Sequence, residues 1–161
     1  VPSHKNLIVS RSFSFAYGLA GLHLGYLVAQ EELVQDLEAQ VTEYRIGKFQ
    51  EEILLAAISD EKHHEEIRAW TQEAVQTLRA GLGALGGIET YPSHCNMVLC
   101  RFKDGRLAAP FAQAMQAQGI RIKVFKPIGT TDFSSYFRVT TGIPEENQRL
   151  IASAKVALQE P

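Results

Sequence analysis

Residues 10–29 read SRSFSFAYGLAGLHLGYLVA, and this stretch constrains the fold more than any other. Two short apolar runs, residues 6–11 (NLIVSR) and residues 24–29 (LGYLVA), flank a connection that holds Gly18 and Gly21. Each run has the length and apolar content of a buried strand. The glycines read as turn and close-packing residues. A dinucleotide fingerprint would need GxGxxG set between a strand and a helix, and that context is missing here.

The remaining chain falls into recognisable elements. Residues 31–40 place Leu33, Val34 and Leu37 at helical spacing, with acidic residues in the first turn that suit the helix dipole. Gly47 interrupts the pattern, and residues 51–58 are helical in composition. A further helix is expected to start at Ser59-Asp60, with Ser59 as cap, and to run to about Ala80 through Ile67, Trp70, Ala74, Val75 and Leu78. Gly81, Gly83, Gly86 and Gly87 are expected to end it, and Trp70 to lie in the core. Residues 96–102 (NMVLCRF) read as a strand, with a turn signal at Lys103-Asp104-Gly105. Residues 108–118 read as a helix closed by Gly119, residues 120–125 and 136–141 as strands, and Pro144 as the first residue of a last helix. The second half is therefore strand, helix, strand, strand, helix, a compact α/β or α+β unit.

Bulk properties exclude several classes. Of 161 residues, 45% are hydrophobic and 21% charged, as in ordinary globular proteins. A net charge of −2 without a basic block does not suggest nucleic acid. No apolar run approaches the roughly 20 residues needed to cross a bilayer, and VPSHKN has no secretory-signal pattern. Cys95 and Cys100 are too few for a disulfide scaffold, and their odd spacing points them to opposite faces of a strand. Reduced thiols and a cytoplasmic location follow as the expectation.

Three stretches, SRSFSFAYGLAGLHLGYLVA at 10–29, YPSHCNMVLCRF at 91–102 and YFRVTTGIPEENQRLI at 136–151, resemble the fold-type-I aminotransferases. These are pyridoxal-phosphate enzymes that include histidinol-phosphate aminotransferase. The resemblance implies an α/β chain holding the C-terminal part of that fold. Residues 1–45 would be a remnant of the large-domain sheet, and residues 46–161 the connecting helix and an α+β small domain. In the family, the position of Phe15 is the lysine that forms the Schiff base, and that of His23 is an arginine that clamps the cofactor phosphate. A benzyl side chain cannot form an imine, and a histidine lacks the forked guanidinium donor set. The family's N-terminal part, with the ring-stacking residue and the aspartate that pairs with the pyridine nitrogen, has no counterpart here. Two substitutions of different kinds in one motif favour natural divergence over a lysine-trapping mutant.

The same resemblance implies the candidate site. Arg138 occupies the position that grips the substrate carboxylate, and Tyr44 matches a tyrosine near the ligand pocket. Ser12, Ser14, Phe15 and His23 line the remnant cofactor pocket, with His23 and Tyr17 as candidate catalytic groups. For His23, the competing reading is a ring satisfied by backbone carbonyls. No metal is expected: Asp60, Glu61 and His63-His64-Glu65-Glu66 lack zinc-ligand spacing and read as a solvated face. Cys95 beside His94 is expected to be a small buried hydrophobe rather than a nucleophile.

No cofactor is expected, because covalent pyridoxal phosphate is disfavoured. The expected function is binding of a small carboxylate or amino-acid-like ligand through Arg138, with repurposed catalysis left open. One alternative is a split-enzyme half or regulatory pseudo-subunit beside an aminotransferase-like partner. Another is a residual transaminase using Lys48, Lys123 or Lys126. Two strands cut from a larger sheet are marginal alone and expose edges. A homodimer is therefore the first expectation for a partner.

Overall fold

A computed structural model describes residues 3–41 and 46–159. Tyr44 lies outside these described residues. The chain divides into two compact units, residues 1–68 and 69–161, with the division inside one long helix.

In the first unit, β1 (Val9–Ser12) and β2 (Gly25–Val28) form an antiparallel pair, with Val9 opposite Val28 and Ser12 opposite Gly25. Gly25 is required by this pairing: a Cβ there would lie 2.6 Å from the Arg11 carbonyl oxygen. The connection folds through a 3₁₀ turn at Ala20–Leu22, and His23 closes it in the left-handed region, φ 53° and ψ 40°. That conformation is uncommon for a side-chain-bearing residue. The expected burial of these strands is corrected by the structure. No residue of β2 is buried, and Leu27 is 51% exposed. The pair has no third strand among the described residues, so the apolar side chains have no sheet to continue into.

Helix α1 (Glu31–Glu38) sets Leu33, Val34 and Leu37 half-buried, as their spacing predicts. Helix α2 (Lys48–Ser59) starts where the Gly47 N–H donates to Gln50 Oε1 at 2.9 Å. Gln50 Nε2 in turn donates to the Leu22 carbonyl at 3.2 Å, tying α2 to the 3₁₀ turn. Helix α3 (Glu61–Ala84) is capped by Asp60, not Ser59. The His63 N–H donates to Asp60 Oδ1 at 3.1 Å, whereas the Ser59 hydroxyl donates backwards to the Leu55 carbonyl at 2.8 Å. Carboxylate and hydroxyl both cap well; here Ser59 still belongs to α2, which leaves Asp60 as the residue between helices.

The second unit is a two-layer α+β arrangement. Its strands are β3 (Ile88–Thr90), β4 (Met97–Phe102), β5 (Lys123–Val124) and β6 (Tyr136–Thr140). They run in the order β3-β4-β6-β5, every pair antiparallel. Alternation buries Val98, Cys100 and Phe102 of β4 with Phe137 and Val139 of β6. These meet Val75, Leu78 and Leu82 of α3, Phe111 and Met115 of α4 (Ala108–Ala117), and Leu150 and Ala154 of α5 (Pro144–Ala157). Phe102, Phe111 and Phe137 interlock with ring centroids 5.1–5.3 Å apart.

Strand β3 was not foreseen; three residues after two glycines are too few to show a period. β5 is shorter than residues 120–125, because only Lys123 and Val124 pair with β6. The expected stop at Gly81 and Gly83 is also corrected: α3 continues to Ala84. Gly81 serves packing, since a Cβ there would collide with the Ile151 side chain of α5. The chain turns at Gly86 and Gly87, φ 74° and 72°. Trp70 is not core: it is 37% exposed and lines a shallow groove with Glu73, Thr77, Pro144 and Asn147. No helix among the described residues is long and apolar enough to cross a membrane.

Candidate functional site

The candidate residues of the first unit cluster around the β1–β2 connection. Phe15 is 73% exposed, its ring turned to solvent. The Ser12 hydroxyl donates to Ser14 Oγ at 2.8 Å, and the Ser14 N–H donates back to Ser12 Oγ at 3.1 Å. The two serines thus form a local turn in which each hydroxyl already has a partner. Tyr17 packs edge-on against Phe13, centroids 5.1 Å apart, and against His64, 4.3 Å apart. Phe13 also meets Tyr26 at 5.6 Å.

His64 Nε2 lies 2.7 Å from the Ala57 carbonyl, so that nitrogen carries the donated proton. His64 is half-buried, whereas the neighbouring His63, Glu65 and Glu66 are exposed. The solvated face expected from the sequence therefore holds except at His64, which bridges α2 and the hairpin turn. His23 is exposed, and its ring makes no hydrogen bond to the described residues, so the expected backbone carbonyl partners are not there. Among the described residues no three His, Cys, Asp or Glu side chains converge on a metal position.

In the second unit, Arg138 sits on β6 between buried Phe137 and Val139. Period-two alternation turns it to the sheet face opposite the helices. Its register partners are Leu99 of β4 and Lys123 of β5. Its Nε is buried and has no hydrogen-bond partner. Arg101, not singled out in the sequence, shares this face: it is opposite Tyr136 in β6 and Glu89 in β3. The Arg101 guanidinium stands 5.6 Å from the Tyr136 ring centroid, and Tyr136 stacks with Tyr91 at 6.3 Å and 21°. The Tyr91 hydroxyl donates to Glu89 Oε2 at 2.9 Å. That bond to a carboxylate holds the Tyr91 pKa above the usual tyrosine value. The signal for Arg101 was in the sequence as the same alternation that exposed Arg138, but it required the pairing of β4 with β6 to bring them together.

Cys95 is exposed, which corrects its expected burial. It precedes β4, and its thiol lies 3.4 Å from Ser93 Oγ. Cys100 is inside the strand and buried, and burial pushes its thiol up to about 12. Both cysteines are free.

Comparison with known proteins agrees with this fold. The profile of the aminotransferase class I and II family matches residues 1–154. Histidinol-phosphate aminotransferase from Symbiobacterium thermophilum is 34% identical over 99% of this chain and 43% of its own length. The chain thus spans less than half the length of this curated relative. Histidinol-phosphate aminotransferase from Clostridium acetobutylicum superposes with a TM-score of 0.88 at 19% identity, covering 99% of this chain and 48% of that one. The Sinorhizobium meliloti enzyme, crystallised with pyridoxal-5′-phosphate, gives 0.81 at 23% identity, covering 98% and 42%. Matching the family over nearly its whole length, with the expected C-terminal sheet and helices in place, the chain belongs to the aminotransferase class I and II family.

Proposed function

We propose that this chain is an aminotransferase-derived protein that works without pyridoxal phosphate and binds a small carboxylate or amino-acid-like ligand through Arg138. The observation that carries this reading is the Arg138 guanidinium. It stands on the open sheet face with a buried, unpartnered Nε, a donor set matched to a carboxylate.

The residues around Phe15 do not fit a covalently anchored pyridoxal phosphate. Phe15 supplies a hydrocarbon ring where an amine is needed, and that ring faces solvent. Ser12 and Ser14 engage each other, and His23 brings no guanidinium fork. A lysine from elsewhere has little in its favour. Lys48 is held by Glu51 and Glu52 at 3.3 and 2.9 Å, while Lys123 pairs beside Arg138 on β5 and Lys126 follows it in the chain. The residual-transaminase reading is therefore the weakest.

The test is a titration with butyrate, followed by calorimetry, of the wild type and Arg138→Gln. Hydrogen bonds to charged groups contribute about 1.5–3 kcal/mol, so the variant should bind about ten- to hundred-fold more weakly. Equal affinity in the two proteins would remove Arg138 from the site.

A second observation favours association. Leu7, Ile8, Tyr26, Leu27 and Val28 of the hairpin are 40–51% exposed, an apolar strand pair with free edges. We read this surface as covered by a second chain, a homodimer first and an aminotransferase-like partner as the alternative. Sedimentation at micromolar concentration should give a dimer. A clean monomer would leave the partner-chain reading, which copurification from the native host would then decide.

A further inference from the structure

The β1–β2 pair has two outer edges, and they differ in chemistry. The Phe13 N–H donates to the Leu24 carbonyl at 3.1 Å, next to the register pair of Ser12 and Gly25. Hydrogen-bonded and non-hydrogen-bonded pairs alternate along an antiparallel ladder. Arg11 with Tyr26 and Val9 with Val28 therefore exchange bonds inside the ladder, whereas Ser10 with Leu27 and Ser12 with Gly25 do not. The backbone N–H and C=O groups of Gly25 and Leu27 thus point outward from β2, and those of Ser10 and Ser12 outward from β1. No third strand takes up either edge among the described residues.

Charge separates the two edges. β1 (VSRS) carries the exposed Arg11, and a charged side chain on an edge strand opposes pairing with another chain. β2 (GYLV) carries no charge and no proline. Its side chains are open on both faces: Tyr26 and Val28 are 48% and 42% exposed on one, and Leu27 is 51% exposed on the other. β2 therefore lacks the side-chain guards that keep a solitary edge from finding a neighbour.

We propose that β2 is the surface on which a second copy of this chain docks, pairing antiparallel with its own counterpart across a two-fold axis. This rests on the homodimer reading above and names the strand that makes the contact. A two-fold axis makes the patch self-complementary, because the outward N–H and C=O groups of one β2 meet those of the other. The two hairpins become one four-stranded sheet in the order β1-β2-β2-β1. A lone two-stranded hairpin is marginal in water, whereas three or more strands with an apolar face hold together. Tyr26, Leu27 and Val28 gain apolar cross-strand neighbours in that sheet. Pairing through β1 would instead bring two copies of Arg11 to the joint, where like charges oppose each other.

The test uses the whole chain at micromolar concentration, with sedimentation for mass and amide hydrogen exchange by NMR for the edge. In the dimer the Leu27 N–H should exchange at least about ten-fold more slowly than the Ser10 N–H, its counterpart on the β1 edge, after correction for intrinsic rates. Dilution to monomer should abolish the difference. Leu27→Pro removes the outward N–H without touching the β1–β2 bonds, at an edge position that tolerates proline. It should weaken the dimer at least about ten-fold, two hydrogen bonds being lost by symmetry. Ser10→Pro makes the same change on the other edge and should alter dimer affinity by less than about two-fold. A dimer in which Leu27 exchanges as fast as Ser10, or one that Leu27→Pro leaves intact, overturns the proposal and keeps the homodimer. A monomer throughout removes the homodimer reading itself. The exchange measurement is made on the unaltered chain, so it decides even where a proline variant fails to fold.

Discussion

Gly81 of α3 packs against Ile151 of α5 so closely that a Cβ at residue 81 would strike Cδ1 and Cγ1 of the isoleucine side chain and crowd its Cγ2. The isoleucine's Cδ1 is the mobile end of the side chain, but its Cγ1 would lie only 2.8 Å away, and the branched Cβ restricts the χ1 rotation that would move it. This pair explains why a helix runs through a residue that local propensity disfavours: close approach of α3 and α5 outweighs the propensity loss.

Gly81→Ala should therefore destabilise the protein. Alanine gains about 1 kcal/mol of helix propensity, while overpacking costs about 1–3 kcal/mol. The expected net loss is roughly 1 kcal/mol by urea denaturation. A double-mutant cycle with Ile151→Val should recover part of the loss; additive effects would show that the two residues do not meet.

The two cysteines should differ in reactivity. Exposed Cys95 is expected to react with Ellman's reagent in the native protein, and buried Cys100 only on unfolding. Equal rates for both thiols would contradict the burial of β4.

Cys100 also makes stability depend on alkaline pH. Burial pushes its thiol up to about 12, whereas a free cysteine titrates near about 8.5. Between those values the unfolded chain has lost a proton that the folded chain keeps, so stability falls as pH rises. The contribution is complete below roughly pH 8.5 and declines by at most about 1.4 kcal/mol per pH unit above it. Denaturation of wild type and Cys100→Ala from pH 8 to 10.5 should show a steeper decline in the wild type. Parallel profiles would refute the assignment.

Capping should separate two adjacent residues. Asp60→Ala removes the bond to the His63 N–H and should cost about 1 kcal/mol. Ser59→Ala removes only a hydroxyl bonded to the preceding turn, and is expected to change stability by less than about 0.5 kcal/mol. A larger effect at Ser59 than at Asp60 would return the cap to Ser59.

Incubation with pyridoxal phosphate and borohydride should leave residues 12–23 unmodified by mass spectrometry, since Phe15 has no amine. A reduced adduct on a lysine elsewhere, formed at stoichiometric cofactor, would revive the residual-transaminase reading.

Much of this protein was legible in the sequence. The turn at Gly105 and the end of α4 at Gly119 follow from residues that tolerate positive φ, here 76° and 78°. Pro144 opens α5, and the alternation around Arg138 set it opposite Phe137 and Val139 before any strand was paired. The departures have a common cause in tertiary packing. Gly81 lies inside a helix and packs against Ile151, a neighbour remote in sequence. Trp70 and Cys95 are exposed, and composition cannot report which apolar or small residues a fold leaves at its surface.

What the amino-acid order determined by itself was local: where helices and strands form, which side chains share a face, and that residue 15 lacks an amine. What only the tertiary structure decided was proximity. The antiparallel pairing of β4 with β6 brings Arg101 beside Arg138, and the packing of the hairpin turn brings His64 to Tyr17. The physical reason is that alternation and propensity act over a few residues, whereas a site needs side chains from distant segments held a few ångströms apart. Register and packing set that distance, and they are properties of the whole fold.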